Sequence, residues 1–381
     1  MVIQNTNVVT PFGILEGIPV TVRNGIIANV GRSQFPKGAR ILDAEGLMLL
    51  PGFVDIHSDA IETAIQPRPG GFFPVNMALR ELDRILVACG ITTIFHSLTF
   101  CDSQQAGLRN RHSCALLIDK IKQQKAKLKA NTRVHIRFEI TEIQSLPLVE
   151  TLIESNQVHL FSLMDHTPGQ GQFVDIEQFR RYHGKVRGRS EKELDNLIAE
   201  RIAAREQVES APLSHLTNLC RRHNIRVASH DDDTAAKVDW NHHIGVTLSE
   251  FPVNLEAARK AHEYGMHVSF GAPNILRGES ATGNLNARKA IAAGYGSIIC
   301  SDYAPVSMLH AGMSLVQKGV TDIVQMSRML SHNPAQAVGL DSFIGTIEEG
   351  KKADLILVDM EDDIPSIQKT FVSGKQVYAS C

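Results

Sequence analysis

The chain has 381 residues, 43% of them hydrophobic, and a formal net charge of −2. That is enough for one large domain, or two, with a sizeable core. The near balance of charge excludes an overall basic field for nucleic acid or an acidic membrane surface, so an anionic ligand must be held by local Arg, Lys or metal.

No run of about 20 apolar residues occurs, so no membrane span is expected. Met1-Val2-Ile3-Gln4-Asn5 carries neither a basic region nor a long apolar run, so no signal peptide is expected. Cys89, Cys101, Cys114, Cys220, Cys300 and Cys381 are scattered without a CxxC pair. They read as reduced thiols of a cytoplasmic protein.

In chain order, residues 1–50 predict short strands at Val8-Val9, Ile18 to Val22, Ile26 to Val30 and Leu47 to Leu49. Asn24-Gly25 is a strong hairpin signal. The far end repeats the texture, with Leu355 to Val358 and a hairpin around Ser373-Gly374. Residues 1–50 plus 343–381 thus predict a small β-sandwich domain formed by both termini.

Residues 51–342 alternate strands and helices. The candidate strands are 53–57, 91–97, 133–139, 159–165, 225–230, 245–250, 266–271 and 297–302. Helical stripes lie between them, such as Met77, Leu79, Leu82, Ile85 and Leu86, or Leu116, Leu117, Ile118 and Ile121. This pattern predicts an α/β fold, a (β/α)8 TIM-like barrel whose active site lies at the C-terminal strand ends. The interval 168–224 is too long for a simple connection and predicts a helical excursion over the barrel mouth. Ser190 to Glu193 starts a helix with a capping box, and Leu194, Leu197, Ile198 and Ile202 make it amphipathic. Arg180, Arg181, Lys185, Arg187 and Arg189 give the excursion a basic front.

The chemistry gathers at the predicted strand ends. The first strand, in Pro51-Gly52-Phe53-Val54-Asp55-Ile56-His57-Ser58-Asp59, ends in a His-x-Asp pair. Residues two apart in an extended chain share a side, so His57 and Asp59 can meet one metal ion. A solvated Asp beside a hydrogen-bonded His is the plain alternative. Later ends carry Glu139, His166, His230 with Asp231, Glu250 and Asp302. Unpaired charges at one rim are costly, and a divalent ion offsets them. His57, Asp59, Glu139, His166, His230 and Asp302 are the expected ligands, with Glu250 a further candidate. Imidazole and carboxylate donors without thiolate suit one or two ions of zinc, manganese or iron, and zinc is the default. Such an ion generates a hydroxide nucleophile near neutral pH, and Asp302 is the natural catalytic proton acceptor. Packed or surface roles explain the remaining histidines, His135 mid-strand among them. His96, near a strand end, is the one to watch.

Pro51 to His57 opening a barrel, Cys300-Ser301-Asp302 late in it, and Gly345 with Gly350 to Leu355 closing the chain together resemble the amidohydrolase superfamily. The resemblance implies a (β/α)8 barrel, a mono- or binuclear metal centre and a β-sandwich from both termini. More specific are His57-Ser58-Asp59-x-x-Glu62, Pro67-Arg68-Pro69-Gly70, Ser162 to Gln170, Ala228 to Asp232, Gly271 to Asn284 and Ser301-Asp302-Tyr303-x-Pro305. These resemble the phosphonate-metabolism branch of the superfamily, in the carbon–phosphorus lyase pathway. That resemblance implies hydrolysis of α-D-ribose 1-methylphosphonate 5-triphosphate to the 5-phosphate and diphosphate. The superfamily commonly takes its bridging residue from strand four and two His from strands five and six. Here Glu139, His166 and His230 count to strands three, four and five.

A triphosphate needs cationic and N–H donors. Arg68 and Arg277 follow strand ends one and seven, and the Gly/Ser/Asn loop after Arg277 offers backbone N–H groups. Substrate contacts are expected from Arg68, Glu62, Asn274, Arg277, Ser280, Asn284, Asp231 and Glu250. The expected partner is a phosphorylated small molecule, with homo-oligomerisation left open. Two other classes remain: a metal-dependent amidohydrolase or deaminase acting on a cyclic amide or C–N bond, and a non-enzymatic barrel. The first has no need of the arginines, and the second none of the ligands.

Overall fold

The structure, a computed structural model, describes all residues except 33, 34, 36, 102–106, 182, 183, 185–188, 281, 282, 361–363 and 381. The N-terminal strands are β1 (Val2–Thr10), β2 (Gly13–Arg23), β3 (Ile26–Val30), β4 (Ile41–Asp43) and β5 (Met48–Pro51). Asn24 and Gly25 both take positive φ (52° and 79°), the type I′ geometry that turns β2 back onto β3. The barrel strands follow: β6 (Phe53–Ser58), β7 (Ile91–Phe100), β8 (Asn131–Glu139), β9 (Leu160–Met164), β10 (Arg226–His230), β11 (Leu248–Glu250), β12 (His267–Gly271) and β13 (Ile298–Cys300). Then come β14 (Leu355–Asp359), β15 (Ser366–Val372) and β16 (Lys375–Ala379). All eight predicted barrel strands are present, and the strand count stands.

The terminal strands form one mostly antiparallel sheet, in the order β16-β15-β14-β5-β1-β2-β3, with β4 beside β1. It encloses a small core of its own, including Ile3, Val20, Leu355 and Phe371. The barrel strands pair in sequence order, all parallel. A bridge from Ser58 to Asp302, and the Asp302 amide donating to the His57 carbonyl (3.0 Å), join the last strand to the first. All ten residues of β7 are buried, as expected for a strand covered on both faces.

Val54, Ile56, Phe95, Leu160, Ala228, Leu248 and Ile298 fill the barrel interior, with the helix Asn333–Ala337 packed on them. Each such buried side chain contributes roughly 1.5–3 kcal/mol. This packed layer leaves the C-terminal strand ends as the place for polar groups. Two helical stripes are narrower than expected. Leu79, Leu82 and Leu86 are buried, but Met77 and Ile85 on the same helix face solvent, as does Leu116 on the next. The contact face is one i, i+3, i+7 stripe, and the other apolar residues flank it.

In the excursion, Ser190 and Glu193 do form a capping box on the helix Glu191–Glu206. Leu194 and Ile198 are buried, but Ile202 is exposed, so the helix is only half amphipathic. Arg201 Nη1 donates to the His166 carbonyl (3.3 Å) and Arg205 Nε to Asp165 (2.7 Å), which anchors the excursion at the end of β9.

Candidate active site

The β6 end is shaped by a bulge. Between the pairs Asp55–Ile94 and Ser58–His96, β6 advances three residues while β7 advances two. The extra residue switches the inward face. Ile56 therefore packs inside the barrel, while adjacent His57 lines the cavity above it.

Three imidazoles are held from behind by carboxylates. Nδ1 of His57 donates to Glu250 Oε1 (3.0 Å), and Nδ1 of His230 lies 3.5 Å from Glu250 Oε2. Nδ1 of His166 donates to Glu139 Oε2 (2.7 Å), whose other oxygen accepts the His166 amide (3.0 Å). Engaging Nδ1 fixes the His57 and His166 rings and leaves their Nε2 for the cavity, whereas Nδ1 of His230 has only the charge of Glu250 beside it. Glu250 has no solvent exposure. Its burial favours the neutral acid, but the surrounding His57 and His135 outweigh that and hold it well below the usual carboxylate range. Burial also opposes charge on His166, and the Glu139 and Asp231 carboxylates overcome it, raising that histidine to about 9.

A charge network lies beside them. Arg137 Nη1 donates to both oxygens of Asp59 (2.9 Å each), and its Nη2 is 3.1 Å from Nε2 of His230. Arg109 bonds Asp59 (3.1 Å) and Glu62 (2.8 Å). Burial raises the Asp59 carboxyl, but the Arg137 and Arg109 charges prevail and hold it far below the usual range. Asp302 is pushed up to about 6, first by burial and then by the charge of Asp59.

Three strand ends carry non-glycine residues in the left-handed region: Asp231 (φ 54°), Phe251 (φ 55°) and Asp302 (φ 58°). Such a conformation costs on the order of 1–3 kcal/mol per residue, and it clusters at functional sites. Here it turns Asp231 and Asp302 into the cavity directly after their strands. The Phe251 ring packs edge-on against His57 (4.8 Å) and His230 (5.2 Å).

The resulting cavity has a volume of about 350 Å³. His57, Asp59, His166, His230, Asp231, Asn274, Arg277, Ser280, Asn284 and Asp302 all line it. Glu139 and Glu250 lie behind the imidazoles, Glu62 reaches the site only through Arg109, and Glu250 makes no wall of the cavity. Arg68 is a correction: it is exposed in a tight turn with Gly71 and does not line the cavity. Arg180 is tied to Glu191 and Asp195 within the excursion, Arg181 lies 4.0 Å from Asp175, and Lys185 and Arg187 fall outside the described residues. His96 is buried, apart from the cavity lining, and lowered to about 4 by burial.

Sequence reasoning missed Arg137, Arg109, His135 and Phe251. His135, Arg137 and Glu139 alternate along β8, so the period of two could have placed all three on one face. Arg109 lies in a sequence, Cys101 to Asn110, that carries no hydrophobic periodicity to read.

Among the described residues, two donor groups could hold a cation: His166, His230 and Asp231, and the deeper His57, His135 and Glu250. In the first, Asp231 Oδ2 lies 3.6 Å from Nε2 of both histidines. Tetrahedral zinc with ligand bonds of about 2.0–2.1 Å separates its ligands by roughly 3.3–3.4 Å, so the two sides that meet at Asp231 suit an ion, which would displace the Arg137 contact at Nε2 of His230. The deeper group fits less well. Nδ1 of His135 faces the Ile56 carbonyl (3.1 Å) and its Nε2 meets Ser162 Oγ (2.9 Å), so both nitrogens are already bonded.

Comparison with known proteins bears on the family and the fold. The model of the Amidohydrolase family matches residues 92–377. The alpha-D-ribose 1-methylphosphonate 5-triphosphate diphosphatase of Escherichia coli (strain K12) is 34% identical over 99% of this chain and 100% of its own length. A dihydroorotase of Elusimicrobium minutum is 23% identical over 94% of this chain and 88% of its own. Among solved structures, N-acetylglucosamine-6-phosphate deacetylase from Pasteurella multocida superposes with a TM-score of 0.65 at 13% identity, covering 100% of this chain and 99% of that one. A D-hydantoinase gives 0.66 at 14% identity, covering 99% and 95%. These two likenesses establish the barrel fold.

Proposed function

The chain belongs to the amidohydrolase family, and from that premise we propose that it cleaves a phosphoanhydride: α-D-ribose 1-methylphosphonate 5-triphosphate to the 5-phosphate and diphosphate. The supporting observation is a cavity that joins the His166–His230–Asp231 triangle to three guanidinium groups, Arg109, Arg137 and Arg277. A cyclic amide has no use for three guanidiniums, whereas a triphosphate does. The full-length likeness to the diphosphatase supports the same reading.

A divalent ion on His166, His230 and Asp231 would supply Lewis acidity and lower the pKa of water beside it. The chain's own residues do the rest. Arg277, at the mouth and steadied by its bond to the Tyr303 hydroxyl (2.9 Å), takes the outer phosphates. Arg137 and Arg109, paired with Asp59 and Glu62, present guanidinium N–H donors to the cavity, where negative charge develops during phosphoryl transfer. Asp302 is mostly ionised above pH 6 and accepts the proton of the attacking water. Phe251 covers the His57 and His230 rings and keeps bulk water from them.

A substrate panel tests this. The ribosyl triphosphate should be turned over with a far higher kcat/KM than dihydroorotate, a hydantoin or adenine. Turnover of a C–N substrate, with none of the triphosphate, would replace this reading with the amide alternative.

A further inference from the structure

We propose that the centre takes one divalent ion, on His166, His230 and Asp231, because the guanidinium of Arg137 occupies the carboxylate that a second ion would need, that of Asp59. The proposal rests on the metal-dependent reading above and concerns only how many ions bind and where.

A second ion at the first strand would draw on His57, Asp59 and Asp302. Asp59 is already committed. Its oxygens accept two bonds from Arg137 Nη1, both at 2.9 Å, and one from Arg109 Nη2 at 3.1 Å. An ion there must compete with three charge-assisted bonds and with the guanidinium charges that make them. At the rim it displaces one, the contact of Arg137 Nη2 with Nε2 of His230.

Arg137 cannot readily move aside. It projects from β8 two residues before the strand's end, where the strand is paired on both sides, and its side chain is 6% exposed. Nor can pH remove it, since an arginine stays charged throughout the working range. The local charge also balances without metal: Asp59 and Glu62 carry two negative charges, Arg109 and Arg137 two positive ones. Among the described residues, no guanidinium lies within bonding distance of Asp231, and two imidazoles stand 3.6 Å from it. The barrel thus provides a closed ion-pair network on one side of the cavity and the His166–His230–Asp231 donor triangle on the other.

The test is metal stoichiometry, read by elemental analysis after equilibrium dialysis of the full chain against zinc, with a thermal melt to confirm folding. Wild type should carry one ion per chain. Asp59→Asn should still carry one, and Asp231→Asn none. Arg137→Met, which removes the charge and keeps the bulk, should rise to two. Two ions on wild type, loss of the ion in Asp59→Asn, retention in Asp231→Asn, or a folded Arg137→Met that stays at one would each overturn the proposal. Should Arg137→Met fail to fold, the Asp59 and Asp231 variants still decide. A wild type that binds no zinc, manganese or iron would overturn the metal-dependent reading itself, and this proposal with it.

Discussion

The carboxylate of Glu250 meets Nδ1 of His57 at 3.0 Å beneath the floor of the cavity, fully removed from solvent. The same carboxylate lies 3.5 Å from Nδ1 of His230. One buried group therefore fixes the His57 ring and, through its charge, favours a proton on Nδ1 of His230. Glu250→Gln keeps the shape and removes the charge. It should weaken metal affinity roughly 10–100-fold, the usual cost of losing such a partner, while the fold survives. Competition with a chromophoric chelator measures this, and an unchanged affinity would contradict the role.

Asp302 is the proposed proton acceptor, held at about 6 by burial and then by Asp59. A base works only when ionised, so the rate should fall as pH drops through about 6, tenfold per unit. Asp302→Asn should lose about 10²–10⁴-fold in kcat and lose that acid limb as well. Steady-state rates from pH 5 to 8 give both. Unchanged hydrolysis at native metal content would rule Asp302 out.

Gly271 makes room for Asp302. A Cβ there would lie 3.2 Å from Asp302 Oδ2 and 3.3 Å from its Cβ, and the Gly271 backbone (φ −72°) is ordinary for any residue. Gly271→Ala should therefore act sterically on Asp302 and not through strain. A shift of a few tenths of an ångström at the reacting group should cost on the order of tenfold in kcat, with KM little changed. Loss confined to KM would point to the substrate pocket instead.

Arg277 and Arg68 separate the two arginines that sequence alone suggests. Arg277 lines the cavity and Arg68 does not. Bonds to charged groups are worth about 1.5–3 kcal/mol, so Arg277→Ala should raise KM by roughly 10–100-fold. Arg68→Ala should leave kcat and KM close to wild type. Equal effects from both would place the triphosphate elsewhere.

Asp354 tests buried charge away from the cavity. It accepts bonds from the Ser373 amide (2.6 Å) and Asn131 (3.3 Å), and burial pushes it up to about 6. Its folded value lies above the unfolded value of about 3.9. The protonated form therefore favours the fold, an advantage that is full below the unfolded value and lost as pH rises through 6. Wild type should lose about 1 kcal/mol between pH 5 and 7 from this group, a loss that Asp354→Asn does not share. Denaturant midpoints of the pair at both pH values check it. Parallel shifts would show that Asp354 is not the titrating group.

The barrel was legible because its strands are short apolar runs that end in polar residues, and the hairpins because Asn24-Gly25 and Ser373-Gly374 carry their own turn chemistry. His57, His166, His230, Asp231 and Asp302 were legible as strand-end donors. The tertiary pairing was not. That Glu139 clamps His166, and Glu250 holds His57 and His230, depends on which strands are neighbours across the barrel. Arg137 and His135 sit mid-strand, where a polar residue usually signals a solvent face, but the interior of this barrel turns polar at that depth. Arg68 looked functional between two prolines, and the turn that those prolines shape carries it away from the cavity.

The most direct measurement of the central claim is phosphorus NMR of the products formed from α-D-ribose 1-methylphosphonate 5-triphosphate by metal-assayed protein. Diphosphate and the 5-phosphate monoester in equal amounts, abolished by a chelator and restored by zinc, are the predicted result. Unreacted triphosphate despite a filled metal site, or orthophosphate in place of diphosphate, would contradict it.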